Sequence, residues 1–230
     1  HNACPTLFVI TDFIDGKMWP WDAKASHLVW NTSKNFVDIS IDSKQLSLDL
    51  RTEDKRKAAR RMVNQALNLL SPEQQTHYIN LLAEACDLTI SEVAPEQYMP
   101  TNWQALRALE SSGLKVGSHT QTHLVLSCAS DEKISQELTH SKARLSEELK
   151  NPSSVFCYPL GKKTDYNLSN IQLIIDAGYS SAVTTISHVT NMESIGRQPF
   201  QIQRIGIPSS FDKFVRYISW KEALRSKLPF

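Results

Sequence analysis

Along this chain, short unbroken apolar runs alternate with longer stretches in which apolar residues recur every three or four positions. That is the pattern of buried strands joined by amphipathic helices. Thr6 to Thr11 is a continuous apolar run ended by Asp12, which predicts a strand buried on both faces and then a loop. The next stretch is mixed, with Trp19, Trp21 and Trp30 among polar residues, until Phe36 to Asp42 alternates like a strand with one exposed face. This reads as an inserted hairpin or lid. Thr52 is placed to cap a helix in which Ala59, Met62, Val63, Ala66 and Leu70 form one stripe. Ser71-Pro-Glu-Gln74 then supplies a capping box with proline at the first helical position, opening a second helix through Leu81, Leu82 and Ala85. Together these predict a helical hairpin within an insertion spanning residues 17–100.

A third helix is expected from Asn102 to Ser112, stopped by Gly113, with a short apolar strand directly after it. Ser130 caps a longer helix whose Ile134, Leu138, Leu145 and Leu149 face inward. A strand over Ser154 to Tyr158, a helix over Leu168 to Ala177, strands over Ser180 to Thr185 and Gln201 to Ile207, and a helix from Phe211 complete the pattern. Strands alternating with helices call for an α/β fold with right-handed crossovers and a site at the strand C-terminal ends.

Composition narrows the picture. A length of 230 residues at 41% hydrophobic content suits one sizeable core, so a single domain over 1–230 is expected. A net charge of +1 lacks the positive excess that nucleic-acid binding exploits, so no nucleic-acid partner is expected. The basic cluster Lys55, Arg56, Lys57, Arg60 and Arg61 reads as a solvated helix face, or as a grip for an anionic polymer. Cysteines 4, 86, 128 and 157 form no C-x-x-C pair, so neither a thiolate zinc ribbon nor a disulfide framework is suggested. No apolar stretch reaches the roughly 18 residues of a membrane span.

The chemistry concentrates in Gly113 to His123, where His119 and His123 follow a strand at a spacing of four. On the first turn of a helix such a pair points both rings the same way, the bite of a metal site. The alternative is two surface or core histidines. Position 120 is threonine, so the H-E-x-x-H metalloprotease pattern is disfavoured. In Tyr158-Pro159-Leu160-Gly161, proline and glycine fix a tight backbone in which an exposed N–H could donate to an oxyanion, though an ordinary Pro-Gly turn is the competing reading.

The order of these segments, with Asp176-Ala-Gly-Tyr-Ser-Ser-Ala-Val-Thr-Thr185 following, resembles the polysaccharide deacetylases, the NodB-homology group of carbohydrate esterases. The likeness runs from Pro5 to Pro208 and is strongest from Trp103 to Thr185. It implies a distorted (β/α) barrel and a metal-dependent hydrolase removing acetyl groups, chiefly N-acetyl, from a polysaccharide or oligosaccharide. It further implies that His119 and His123 ligate a divalent metal, expected to be zinc, and that the Leu160 amide serves the oxyanion. Tyr158, Pro159 and Gly161 line the substrate, and Asp12 stands at the cleft edge. Cys157 occupies the place of the family's base-orienting arginine, with Arg204 as a candidate replacement. His140 and His188 are available for the family's acid histidine.

The chain departs from the family at its start. The family's first motif, resembling T-F-D-D-G, supplies a base aspartate and a third metal ligand, and this chain begins too late to contain it. Thr11-Asp12-Phe-Ile-Asp15-Gly16 looks superficially similar, yet matches the family's second strand and following turn better. The barrel is therefore expected to be incomplete at the N-terminus, with an open strand edge that invites homodimerisation. Activity of this chain is in doubt on that ground. The alternative is a non-catalytic carbohydrate-binding or assembly protein on the same fold, with its tryptophans stacking on sugar rings or anchoring the insertion.

Overall fold

The computed structural model describes residues 4–188 and 190–217. In chain order the elements are β1 (Thr6–Val9), the single turn α1 (Thr11–Ile14), α2 (Trp21–Asn31), β2 (Phe36–Ile41), β3 (Lys44–Asp49), α3 (Glu53–Leu67), α4 (Pro72–Ala85), α5 (Trp103–Ser111), β4 (Lys115–Ser118), α6 (Asp131–Glu148), β5 (Val155–Cys157), α7 (Leu168–Asp176), β6 (Ser181–Val183), α8 (Met192–Arg197) and α9 (Phe211–Tyr217). The fold is α/β, as the alternation of apolar runs requires. β1, β4, β5 and β6 form one parallel sheet in that order, with Val9 opposite Ser118 and Cys157 opposite Val183. Parallel neighbours need crossovers: α6 carries the chain from β4 to β5, and α7 from β5 to β6. Among the described residues β1 and β6 are the end strands of this sheet.

The helix starts follow the caps. The side chains of Thr52, Asn102 and Ser130 each accept the backbone N–H three residues on, and Ser71 with Gln74 forms the full capping box. The strand expected over Gln201 to Ile207 is reduced to one bridge, Val183 to Ile202. Its backbone still leans on β6, through Thr184 N–H to the Ile202 carbonyl and Arg204 N–H to the Ile186 carbonyl, but with too little regularity for a strand.

The expected lid is not free-standing. β2 and β3 pair antiparallel, and their inner residues Val37, Ile39, Ile41 and Leu48 join α2, α3 and α4 in a hydrophobic cluster that includes Leu28, Val63 and Leu82. Two further clusters lie against the parallel sheet, one around Phe156, Tyr158 and Ile174 and one around Val9, Leu106 and Val116. Helix α2 has no side-chain cap, which hid it from sequence reading. Trp19 and Trp21 are anchors rather than sugar platforms: Trp19 is 1% exposed and donates its indole N–H to the Ser91 carbonyl at 3.0 Å. From the basic face, Arg56 turns back to the Val29 and Thr32 carbonyls at the end of α2. The four cysteines are free, and no helix among the described residues is long and apolar enough to cross a membrane.

Candidate metal centre

Each loop leaving the C-terminal end of the sheet contributes to one region: Thr11 and Asp12 after β1, His119 to His123 after β4, Tyr158 to Gly161 after β5, and Thr184 and Thr185 after β6. The two imidazoles come together with ring centroids 5.0 Å apart and planes inclined at 56°. They do so without the helical turn expected for them. Thr120 and His123 both take left-handed backbone conformations, with φ of 68° and 67°, so an irregular loop brings the rings together. Non-glycine residues seldom occupy this region, and such conformations collect at functional sites.

Hydroxyl and carboxylate side chains hold the loop in place of regular backbone pairing. Ser118 Oγ accepts the Thr120 N–H at 3.1 Å, and Thr120 Oγ1 accepts the Leu124 N–H at 3.1 Å. Glu137, fully buried on α6, accepts the N–H groups of Gln121 at 2.9 Å and Thr122 at 2.8 Å, and the Thr122 hydroxyl at 2.7 Å. A buried carboxylate receiving three donors is a charge-assisted clamp. The sequence reading missed Glu137, although its place one helix beyond the histidine motif was a usable signal.

His119 Nδ1 lies 2.8 Å from the Cys157 carbonyl, which can only accept, so Nδ1 carries the proton and Nε2 keeps its lone pair. Burial, followed by the nearby His123 and Arg204, pushes His119 down to about 4; burial does the same to His123. Both rings are therefore neutral near pH 7, the form that binds metal. His123 Nδ1 is buried with no hydrogen-bond partner, and so is Oδ1 of Asp22, which lies 3.6 Å from it in the first turn of α2. Nothing in the local sequence pointed to Asp22, because its partner is brought in by the fold of the insertion.

Two neutral imidazoles suit a borderline cation such as zinc. Among the described residues no group of three or more His, Cys, Asp or Glu side chains is arranged to hold a metal ion. Asp12 and Asp15 do not complete the pair. Asp12 accepts from Gln121 Nε2 at 3.0 Å and faces Lys17, while Asp15 is taken up by Arg144, Trp103 and Lys17. Asp12 does border a cavity of about 370 Å³, walled by Trp21 and Lys24 of α2, Gln75 and Ile79 of α4, and Thr122.

In the turn after β5, Leu160 and Gly161 have φ of 58° and 72°, and a Cβ at Gly161 would come within 2.9 Å of the Thr185 backbone nitrogen. The Leu160 N–H has no acceptor among the described residues. Pro159 is buried. Tyr158 was expected at the substrate, but its side chain belongs to the core: it is 1% exposed, its hydroxyl donates to the Phe200 carbonyl, and its ring stacks on Tyr166. Arg204 donates to the Thr184 carbonyl at 2.7 Å and lies 3.5 Å from Cys157 Sγ. His140 is on the exposed side of α6 beside Gln121, and His188 is exposed in the coil after β6.

The fold and site define an α/β protein with a parallel sheet whose strand-end loops gather two neutral imidazoles beside a strained turn. Residues 90–182 match the family model for polysaccharide deacetylase. The family recognised from the motifs is thus the one the chain matches over that segment. Among solved structures the chain is similar to the deacetylase PplD from Streptococcus pyogenes in complex with acetate, at 22% identity over 58% of this chain and 54% of that one, with a TM-score of 0.46. It is similar to a de-N-acetylase from Aggregatibacter actinomycetemcomitans, at 12% identity over 65% and 72% and a TM-score of 0.45. It is also similar to the deacetylase domain of BpsB from Bordetella bronchiseptica, at 14% over 87% and 60% and a TM-score of 0.45. The chain spans little more than half the length of the first of these. No curated protein matches the chain significantly.

Proposed function

We propose that this chain is a metal-dependent hydrolase that removes acetyl groups from a polysaccharide, with N-acetylated amino sugars as substrate. The observation that carries this reading is the pair of neutral imidazoles at the end of β4, inside the segment that matches the deacetylase family. His119 and His123 would hold a divalent ion, zinc by the chemistry of the donors. When bound, such an ion supplies an activated water and a polarised carbonyl oxygen, the two things a poorly electrophilic acetamide lacks.

The remaining groups act on the substrate or on the histidines. The Leu160 N–H, held by the left-handed turn, donates to the acetyl oxygen as it gains negative charge. Pro159 and Gly161 fix that turn. Arg204 places a positive charge beside His119 and so opposes its protonation. Asp12, at the rim of the cavity beside Thr122, accepts hydrogen bonds from sugar hydroxyls.

Acetate release from chito-oligosaccharide and from acetylated peptidoglycan, with and without a chelator, tests the reading. Release is expected to require the metal and to be abolished by His119→Ala or His123→Ala. Release indifferent to chelator would remove the metal from the mechanism. Zinc and glycan binding without acetate release from either polymer would instead favour a non-catalytic carbohydrate-binding protein.

A further inference from the structure

We propose that Asp22 is a positioning residue of this metal site: its carboxylate accepts the Nδ1 proton of His123 and thereby holds that ring with Nε2 presented to the cation. The inference rests on the metal reading above and adds a residue from the insertion to it. Two polar atoms buried without partners are costly, and here they face each other. His123 is 8% exposed, its Nδ1 is unpartnered, and Asp22 Oδ1, another of the buried unpartnered atoms, lies 3.6 Å from it. A closing movement of about half an ångström brings them to hydrogen-bond length.

The companion ring shows what such a bond does. His119 is already fixed through Nδ1 by the Cys157 carbonyl, leaving Nε2 for a ligand. Neither Nε2 atom is among the buried unpartnered atoms. An acceptor on His123 Nδ1 would therefore give both rings the same tautomer and the same free nitrogen. Metal-bound histidines regularly donate their second ring N–H to a carboxylate or a carbonyl, and this pair would use one of each. The neighbour of Asp22 explains how it is held: Trp21 is 8% exposed within the insertion's hydrophobic cluster, so the first turn of α2 is fixed from behind. Backbone geometry fixes the other partner, since His123 sits in a left-handed conformation followed by the buried Leu124 and Val125.

Long-range proton–nitrogen NMR spectra of the 15N-labelled chain at pH 7, before and after adding zinc, with zinc titrations of the wild type, Asp22→Leu and Asp22→Asn, test this. The expected result is a proton on His123 Nδ1 in the wild type and a zinc-induced shift at Nε2. In Asp22→Leu the proton moves to Nε2 and zinc affinity falls by roughly 10- to 100-fold, the range usual for loss of such a partner. Asp22→Asn, whose amide oxygen can still accept, loses less. A wild-type His123 protonated on Nε2, zinc bound at Nδ1, or unchanged affinity in Asp22→Leu would each overturn the assignment. Should circular dichroism show that Asp22→Leu does not fold, the wild-type tautomer and Asp22→Asn still decide. If the wild type takes up no zinc, the metal reading fails, while the metal-free tautomer still reports whether Asp22 holds His123.

Discussion

Glu137 shows how much of this site depends on one side chain that carries no chemistry of its own. Its carboxylate collects the backbone N–H groups of Gln121 and Thr122, which lie between the two histidines. Glu137→Leu leaves both partly buried amides without their acceptor, at up to about 1–3 kcal/mol each. Glu137→Gln keeps one oxygen acceptor and is expected to lose less. Urea unfolding gives the stability order wild type, Gln, Leu, and zinc titration should follow the same order as the loop loosens. At this scale the sequence was readable where chemistry is local. The histidine spacing after a glycine-containing strand marked the pair, and Pro159 with Gly161 marked the turn. It was unreadable where partners meet through the fold: Asp22 reaches His123 only because α2 docks there, and the left-handed Thr120 and His123 replace a helix that spacing alone suggests. Tyr158 was misplaced for a related reason. Its motif is at the site, but strand alternation turns the side chain inward onto Tyr166.

Between elements, two contacts set the frame of the site. Gly117 lies in β4 between β1 and β5, and a Cβ there would come within 2.8 Å of the Phe8 ring and 2.9 Å of the Val155 carbonyl oxygen. Gly117→Ala must spread the strands, at about 1–3 kcal/mol. Phe8→Leu is expected not to rescue it, because the second clash is with backbone; thermal melts of the single and double variants check this. The other contact joins the turn after α1 to α5 and α6, where Asp15 accepts from Trp103 Nε1 at 2.7 Å and from the Arg144 guanidinium at 2.9 Å. Burial alone would raise the Asp15 carboxyl, but the bonds from Arg144, Trp103 and Lys17 outweigh it and hold it at about 2, against an ordinary 3.8. A depressed carboxylate contributes fully above its unfolded value and loses that contribution as pH falls toward the folded one. Stability is thus expected to fall between about pH 4 and pH 2, and the melting curves of Asp15→Asn should lack that part of the decline. Helices with capping residues were legible from sequence, as Thr52, Ser71 and Ser130 show. The uncapped α2 and the irregular backbone after Pro199 were not, since neither leaves a periodic signature.

At the scale of the molecule, the buried residues fall into clusters that do not mix. The insertion's cluster draws on α2, β2, β3, α3 and α4, whereas those against the parallel sheet draw on β1, β4, β5 and β6 with α5, α6 and α7. The link between them is narrow, running through Asp22 beside His123, Cys128 Sγ on the Asn68 carbonyl, and the walls of the cavity next to Thr122. Segments whose cores are separate can open separately. Leu82→Ala removes a fully buried side chain from the insertion alone, at about 2–5 kcal/mol. Hydrogen exchange read by mass spectrometry should then rise across residues 21–90 while β4, β5 and β6 keep their protection. Because the first turn of α2 belongs to the part that loosens, zinc affinity should drop as well, although no residue near the imidazoles has changed. A uniform rise in exchange over the sheet and the insertion would show instead that the whole chain unfolds as one cooperative unit, with the insertion no more than a thickened wall of the same core.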